Sequence, residues 1–107
     1  MPVHILGHPA DMDSSNELAQ RFDLQVIEDG DEGMCTRYRE QHVGGLGQVV
    51  CFSFNGYKII TSGGGGMLVT NDEQVALRAK HLTTTAKDDP LEYIHGEVGY
   101  NYRLTNV

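Results

Sequence analysis

The sequence predicts an α/β fold, formed by a single domain over residues 1–107, and two observations lead to this prediction. A short apolar run at residues 3–6, a helix-like stretch and a second apolar run at residues 24–27 follow one another closely. Strand, helix and strand in so short a span are typical of a βαβ unit, whose strands lie parallel. Residues 49–54 form a longer apolar run, interrupted only by Ser53, and predict a third core strand.

The first helix is expected to follow Gly7-His8-Pro9, which ends the first strand. Asp13 or Ser14 can cap this helix, because Ser14 followed by Glu17 fits a capping box. Its apolar positions repeat at helical spacing through Leu18, Ala19 and Phe22. The pattern therefore predicts an amphipathic helix that packs one face against the sheet.

Between the second and third core strands, the sequence predicts little regular structure. Residues 36–43 are polar with two apolar points, which favours an irregular β-like segment, and the glycines among residues 44–47 favour a turn. After the third strand and a glycine run, residues 67–70 predict another short strand.

A second helix is expected over residues 72–82, with Thr70 and Glu73 forming a capping box at its start. Its buried face is expected to consist of Val75, Ala76, Ala79 and Leu82. Asp88-Asp89-Pro90 predicts a turn. The pattern of residues 91–98 favours no single element.

Charge and composition exclude several classes of partner. The chain carries 8 basic and 15 acidic residues, for a net charge of −7, and its few Lys and Arg are scattered. A nucleic-acid partner and an anionic membrane surface are therefore not expected. No apolar segment has the length of a membrane span, and no secretory signal pattern opens the sequence. Two cysteines without a CxxC pattern suit a reducing compartment, so we expect a cytoplasmic protein.

The most informative residue is Lys58, the only formally charged residue between Gln41 and Asn71 when His is counted as neutral. Its neighbours are aromatic, β-branched or glycine, so the lysine should lose hydration when the segment packs. Desolvation favours the neutral amine, which is a nucleophile that can form a Schiff base. The alternative is a surface lysine whose stem lies along apolar residues while its ammonium group stays in water.

Two features beside Lys58 fit a ligand site. Ser53 lies at the expected end of a strand, where its hydroxyl can meet a phosphate group. Four glycines at residues 63–66 let the backbone turn sharply and let a ligand or second chain come close, although such a run is also typical of a flexible turn. The four acids within residues 28–32 lack the spacing of a calcium loop, so we expect no metal site and interpret them as a solvated loop.

The lysine segment Phe52–Ser62 with its glycine run resembles the lysine region of the DegT/DnrJ/EryC1/StrS family, the pyridoxal-phosphate-dependent sugar aminotransferases. Three further stretches fit this family in the same order: Val26-Ile27-Glu28-Asp29, the helix-like residues 72–82, and Gly99-Tyr100-Asn101-Tyr102-Arg103. Within the family, the branch that aminates nucleotide-linked sugars of the legionaminic-acid and bacillosamine types is the most similar. The resemblance implies part of a large aminotransferase domain, with a mostly parallel sheet, one antiparallel strand at residues 67–70 and flanking helices.

The resemblance also assigns roles to individual residues. Lys58 would hold pyridoxal 5′-phosphate covalently and later shuttle protons. Asp29 would keep the pyridine nitrogen protonated, and Glu32 would contact the ring or its O3′ edge. Ser53 would anchor the cofactor phosphate, and Asn101 would do so from a partner subunit, although an asparagine there could also be a helix cap.

The expected reaction moves an amino group, with glutamate as the donor, to a keto group of a nucleotide-linked sugar. Since Asn101 would act across a dimer interface, the resemblance implies a homo-oligomer. Family members are several times longer than 107 residues, so this sequence resembles only the middle of their large domain.

The chain departs from the family pattern at Gly30-Asp31, where small residues, often two alanines, are usual. We expect the extra acid to repel the cofactor phosphate. Two alternatives stay open: a non-catalytic α/β fragment that self-associates, and a small module that binds a phosphate ligand without covalent chemistry.

Overall fold

The computed structural model describes residues 1–106. Its regular elements are two helices and seven strands: α1 (Met12–Phe22), β1 (Ile27–Asp29), β2 (Arg37–Tyr38), β3 (Gln41–His42), β4 (Val49–Ser53), β5 (Gly66–Thr70), α2 (Glu73–Thr83), β6 (Lys87–Asp89) and β7 (Ile94–His95).

The central sheet has the order β1-β4-β5 and confirms the predicted α/β class. β1 lies parallel to β4, with Asp29 opposite Cys51. β5 pairs with β4 in the antiparallel sense, so the expected antiparallel strand is present and begins at Gly66. Because β1 and β4 are parallel, their carboxyl ends meet at the same edge of the sheet.

The predicted first strand over residues 3–6 is wrong except at its start. Val3 makes a single parallel bridge to Asp29, supported by the His4 N–H, which donates to the Asp29 carbonyl oxygen at 3.0 Å. Ile5–Gly7 then form a short 3-10 turn in which Leu6 has a positive φ of 53°. The Leu6 N–H donates to the Glu32 carboxylate at 2.7 Å, and this bond withdraws the backbone from strand pairing.

The second strand also begins later than expected, at Ile27 rather than at Leu24. The Leu24 N–H still donates to the Ala19 carbonyl oxygen at 2.8 Å, because Asp23 takes a left-handed conformation at the end of α1. The end of the helix therefore includes Leu24, which the apolar pattern had assigned to the strand.

Both helices are confirmed, but different residues cap them. The Asp11 carboxylate accepts the Ser14 N–H at the start of α1, in place of Asp13 or Ser14. The Asp72 carboxylate accepts the N–H groups of Gln74 and Val75 at the start of α2, in place of Thr70. A carboxylate satisfies these free N–H groups and also suits the positive end of the helix dipole.

Two small hairpins lie outside the central sheet. β2 and β3 lie in the segment that was expected to be irregular and β-like, and they pair as a regular antiparallel hairpin. β6 and β7 also pair antiparallel, so β7 lies within the ambiguous residues 91–98. The predicted turn begins at Asp89, whose carboxylate accepts the N–H groups of Leu91 and Glu92.

The buried core is small. Its buried apolar residues are Met12, Ala19, Val43, Val49, Val50 and Ala86. Of the expected apolar face of α1 only Ala19 is buried, since Leu18 and Phe22 are more than half exposed. The expected buried face of α2 is at most half-buried, so much of the apolar surface of the described chain faces outward. Within residues 1–106, no helix combines the length and the apolar character needed to cross a bilayer.

Candidate active site

Four of the five predicted site residues follow or lie on the two parallel strands β1 and β4. Asp29 ends β1, and Glu32 follows it in the next loop. Ser53 ends β4, and Lys58 follows in the loop after it. This is the edge of an open α/β sheet at which ligands bind. The parallel pairing therefore brings the two motifs, 29–32 and 53–58, to one place.

Lys58 is held by acids from the other motif. Its side chain is only 5% exposed, and its ammonium group forms an ion pair with the Asp31 carboxylate. The Glu32 carboxylate lies 3.8 Å from Nζ, and the centroid of the Tyr57 ring lies 4.4 Å away. A cleft of about 360 Å³ opens beside this group, lined by Leu6, Gly7, Glu32, Tyr57, Lys58 and Ile59.

Lys58 loses hydration as expected, but the expectation that this makes the amine neutral is wrong in this arrangement. The hydrogen bond to Asp31 raises the pKa of the Lys58 ammonium group and outweighs the loss of hydration, which acts in the opposite direction. Asp31 was expected to be a free charge that repels the cofactor phosphate. In the structure its carboxylate is instead paired with Lys58.

Ser53 keeps a hydroxyl proton to donate. Its oxygen accepts the Asn55 N–H at 3.3 Å, and among residues 1–106 the hydroxyl proton has no acceptor. A phosphate oxygen could therefore take this proton without breaking an existing bond.

Asp29 has a carboxylate that is half-buried at the end of β1. One carboxylate oxygen accepts the Asp31 N–H at 3.1 Å, which fixes the start of the acidic loop. A small cavity of about 120 Å³ adjoins it, lined by Val3, His4, Ile5, Asp29, Asp31 and Glu32. Three of these lining residues are acids, so the cavity suits a cationic or protonated nitrogen better than an anion.

Glu28 is a residue that sequence reasoning missed, because it was interpreted as part of a solvated acidic loop. It is fully buried on β1. Its carboxylate accepts the N–H groups of Gly44, Leu46 and Gly47 at 3.0, 3.0 and 2.6 Å, and the Nε2–H of His4 at 3.0 Å. A signal for this role exists in the sequence. A glutamate lies within a strand, and a glycine-rich loop elsewhere in the chain offers backbone N–H groups that need an acceptor.

His4 completes this buried group. Its Nδ1 accepts the Ala10 N–H at 3.1 Å, so the proton lies on Nε2 and points at Glu28. The pair joins the N-terminal segment, β1 and the loop at residues 44–47. Glu28 is the direct neighbour of Asp29 in the chain. It therefore fixes the strand end that carries the site.

The glycine run after Lys58 packs against the chain's own C-terminal residues. Gly65 has a φ of +81°, and a Cβ built there would lie 2.8 Å from a methyl group of Leu104. The Thr105 hydroxyl donates to the Ser62 carbonyl oxygen at 3.4 Å. The close approach at these glycines is therefore made by the chain's own residues, and not by the ligand or second chain that was expected.

Asn101 does not join the other four residues. It is exposed and forms an isolated antiparallel bridge with Thr84, beyond the end of α2. Its side-chain oxygen accepts the Arg103 N–H at 3.3 Å, but no helix begins among residues 102–106, so the described part of the chain gives it no helix to cap. Its exposure leaves it accessible to another chain.

The residues present fit pyridoxal phosphate in their chemistry. Lys58 supplies an amine, Asp29 supplies a carboxylate for a protonated ring nitrogen, and Ser53 supplies a free hydroxyl proton for the phosphate. No group of three or more His, Cys, Asp or Glu side chains within residues 1–106 converges to hold a metal ion.

The chain is similar in sequence and in fold to several known proteins. GDP-perosamine synthase from Escherichia coli O157:H7 is 44% identical to the chain over 107 residues. The crystal structure of S. venezuelae DesV in complex with a ketimine intermediate is 39% identical, with a TM-score of 0.87, and the match covers 95% of this chain and 27% of that one. NtdA from Bacillus subtilis, solved with bound cofactor PMP, is 25% identical with a TM-score of 0.82, over 95% of this chain and 23% of that one.

These relatives are much longer than the chain. The match to GDP-perosamine synthase covers 100% of this chain but 29% of that protein, so the chain spans less than a third of the relative's length. The profile of the DegT/DnrJ/EryC1/StrS aminotransferase family matches residues 1–107 throughout. The chain therefore belongs to the DegT/DnrJ/EryC1/StrS aminotransferase family.

Proposed function

We propose that this chain carries the lysine-bearing part of a pyridoxal-phosphate-dependent aminotransferase site, which moves an amino group from a donor, glutamate, to a keto group of a nucleotide-linked sugar. The observation that carries the proposal is the arrangement at the carboxyl edge of β1 and β4. There, Lys58, Asp29 and Ser53 lie on two adjacent parallel strands and the loops that follow them. Membership of the family gives the reaction class, and the relatives' names give the substrate class.

Each residue has one task in this proposal. Lys58 binds the cofactor covalently and then holds and moves a proton at its Nζ. Asp29 accepts a hydrogen bond from the protonated pyridine nitrogen, and Glu32 contacts the ring edge. Ser53 donates its free hydroxyl proton to the phosphate. When bound, the cofactor supplies an electron-withdrawing ring that stabilises negative charge at the carbon bearing the amino group.

Asn101 is proposed to act in the site of a partner subunit. Its exposed position beyond α2 is compatible with reaching another chain, and no contact ties it to Lys58 among the described residues. The proposal therefore includes a homo-oligomer. It also includes a cytoplasmic location, which suits the unpatterned cysteines Cys35 and Cys51.

The test is a reductive trap. The protein is incubated with pyridoxal phosphate and reduced with borohydride, and the adduct is mapped by peptide mass, with Lys58→Ala as the control. We expect an adduct confined to Lys58 because the other site groups surround this amine alone. Equal labelling of Lys58, Lys80 and Lys87, or no labelling, would instead favour the second candidate, a non-catalytic α/β fragment that self-associates or binds a phosphate ligand.

A further inference from the structure

The two side chains of the Lys58–Asp31 ion pair differ in their exposure to solvent. The Lys58 side chain is 5% exposed, whereas the Asp31 side chain is 41% exposed. The Asp31 carboxylate can therefore move into water by a change of its own side chain. The Lys58 side chain, in contrast, is almost fully enclosed by its neighbours.

The backbone holds Asp31 where it can reach the amine. Its N–H donates to the Asp29 carboxylate at 3.1 Å, immediately after β1 ends. The preceding Gly30 is buried, and a Cβ there would lie 2.8 Å from Phe52 and from Val50. The loop therefore lies tightly against β4, which presents Asp31 to the loop after β4.

The other charged and titratable groups around Lys58 influence its ammonium group less than Asp31 does. Glu32 lies 3.8 Å from Nζ, beyond hydrogen-bond distance, and its carboxylate already accepts the Leu6 N–H at 2.7 Å. The Tyr57 ring contacts the ammonium group through its face and adds to its stabilisation. The Asp29 carboxylate is engaged by the Asp31 N–H instead of by the amine. Asp31 is therefore the group that decides the protonation of Lys58.

We propose that Asp31 gates Lys58: by pairing with the ammonium group it keeps the amine from acting as a nucleophile, and the amine becomes reactive only when the Asp31 carboxylate moves away. Asp31 is thus a positioning residue that acts through Lys58. The inference deepens and rests on the proposed function, because the gated amine is the one that would bind the cofactor. A carbonyl ligand must then compete with Asp31 for Lys58.

Acetylation by acetic anhydride measures this gate without any cofactor. The neutral Lys58 amine attacks one carbonyl carbon, an N–C bond forms, acetate leaves, and the amine gives its proton to solvent. Competitive labelling at about pH 7 to 12 gives the rates at Lys58, Lys80 and Lys87 in one sample by peptide mass analysis. The range extends well above the ordinary lysine pKa of about 10.4, because the pKa of Lys58 is raised.

We expect Asp31→Asn to shift the midpoint of the Lys58 pH profile to lower pH. At a pH below both midpoints, the neutral fraction of an amine rises about tenfold when its midpoint falls by one pH unit, so acetylation at about pH 8 should rise at least threefold. Glu32→Gln, which removes the same charge one residue away, should shift the midpoint less. The rates at Lys80 and Lys87 should stay unchanged in both variants.

Two results would overturn the proposal. An unchanged Lys58 profile in Asp31→Asn would mean that the pair has no influence on the amine. A higher plateau at alkaline pH with an unchanged midpoint would mean that Asp31 only shields the amine sterically. Unfolding of the variant is recognised separately, because it would change the circular dichroism and bring the Lys58 rate to that of Lys80, which is already exposed in the folded chain.

The acetylation and the reductive trap, carried out on both the native protein and Asp31→Asn, separate the two proposals. If Asp31→Asn accelerates acetylation but pyridoxal phosphate labels Lys58 selectively in neither protein, the gate stands and the proposed function falls. If pyridoxal phosphate labels Lys58 equally in both proteins and the acetylation profiles coincide, the proposed function stands and the gate falls.

Discussion

The buried carboxylate of Glu28 organises more of the site than any exposed residue does. It has no solvent exposure and accepts four hydrogen bonds, one from His4 and three from a distant loop. The three loop donors are backbone N–H groups within residues 44–47, which pair with no strand. A carboxylate is the side chain that can accept so many donors at once.

We expect Glu28→Gln to destabilise the fold by about 1–3 kcal/mol, because the amide turns one acceptor into a donor and leaves buried N–H groups without a partner. The free energy of unfolding in urea measures the effect. Glu17→Gln is the matched control, since Glu17 is exposed on α1. Equal stability of the two variants would contradict the assigned role of Glu28.

Individual residues differ in how far the sequence predicts their surroundings. Lys58 and Ser53 are recognisable because a charge or a hydroxyl interrupts an apolar run. This is a property of the local sequence and does not depend on distant contacts. The bond from Gly44 to Glu28 joins residues 16 positions apart, and the bond from Lys58 to Asp31 joins residues 27 positions apart. Such contacts depend on the parallel register of β1 and β4, which the local pattern does not contain.

At the scale of elements, the lysine loop depends on how the glycine run meets the C-terminal residues. Gly65 combines a left-handed φ of +81° with a close approach to Leu104, and both conditions disfavour a side chain. The Phe54 N–H donates to the Gly65 carbonyl oxygen at 3.0 Å, so the same glycine also closes the loop that carries Lys58.

We predict that Gly65→Ala destabilises the chain by roughly 1–3 kcal/mol through strain at this backbone conformation. Urea unfolding gives the magnitude, and hydrogen exchange should show faster exchange at Phe54. Gly56→Ala is the control, because a Cβ there meets no atom within 4 Å. If both substitutions had the same effect, the packing of Leu104 on the glycine run would not constrain the loop.

A second element contact predicts a pH dependence. Arg78 on α2 forms a two-bond ion pair with Glu97, just after β7, and this pair lowers the pKa of the Glu97 carboxyl. A lowered folded-state pKa stabilises the fold fully above the ordinary carboxyl pKa of about 4.3, and the stabilisation is lost as pH falls through the lowered value.

The melting temperature should therefore fall more steeply with acid in the native protein than in Arg78→Gln, between about pH 5 and pH 2. The carboxyls of Asp11 and Asp89, whose pKa values are also lowered by hydrogen bonds, are common to both proteins and cancel in the comparison. Lys80→Gln removes the same charge from an exposed position of α2 and should keep the native acid profile. Parallel acid profiles for the native protein and Arg78→Gln would show that the ion pair adds nothing to stability.

Elements with a strong local signal are those that the sequence predicts well. α1, α2 and β4 have clear apolar spacing, and their positions agree with the structure to within a few residues. The first apolar run fails as a strand, because Glu32 binds the Leu6 N–H and Leu6 turns left-handed. Apolar spacing predicts elements, but tertiary hydrogen bonds to the backbone decide where those elements end.

At the scale of the whole molecule, the described chain is flatter and more open than a compact protein of its size. Its radius of gyration is 15.7 Å, with extents of 49 × 35 × 18 Å, against about 13 Å for a compact chain of this length. Its accessible surface of 7714 Å² exceeds the value for a monomer of this mass by about 1,800 Å². Much of this surface is apolar, including Met67 and Leu68 on β5.

Such a surface favours association, and we predict that the chain self-associates in a concentration-dependent way. Light scattering should give an average mass above 11.8 kDa that rises with protein concentration. Because apolar burial drives the contact, ammonium sulfate should increase the average mass further, whereas association through charges would weaken as salt screens them. A mass of one chain at every concentration, with and without the salt, would show that the open apolar faces do not pair, and the proposed homo-oligomer would then lose its physical basis.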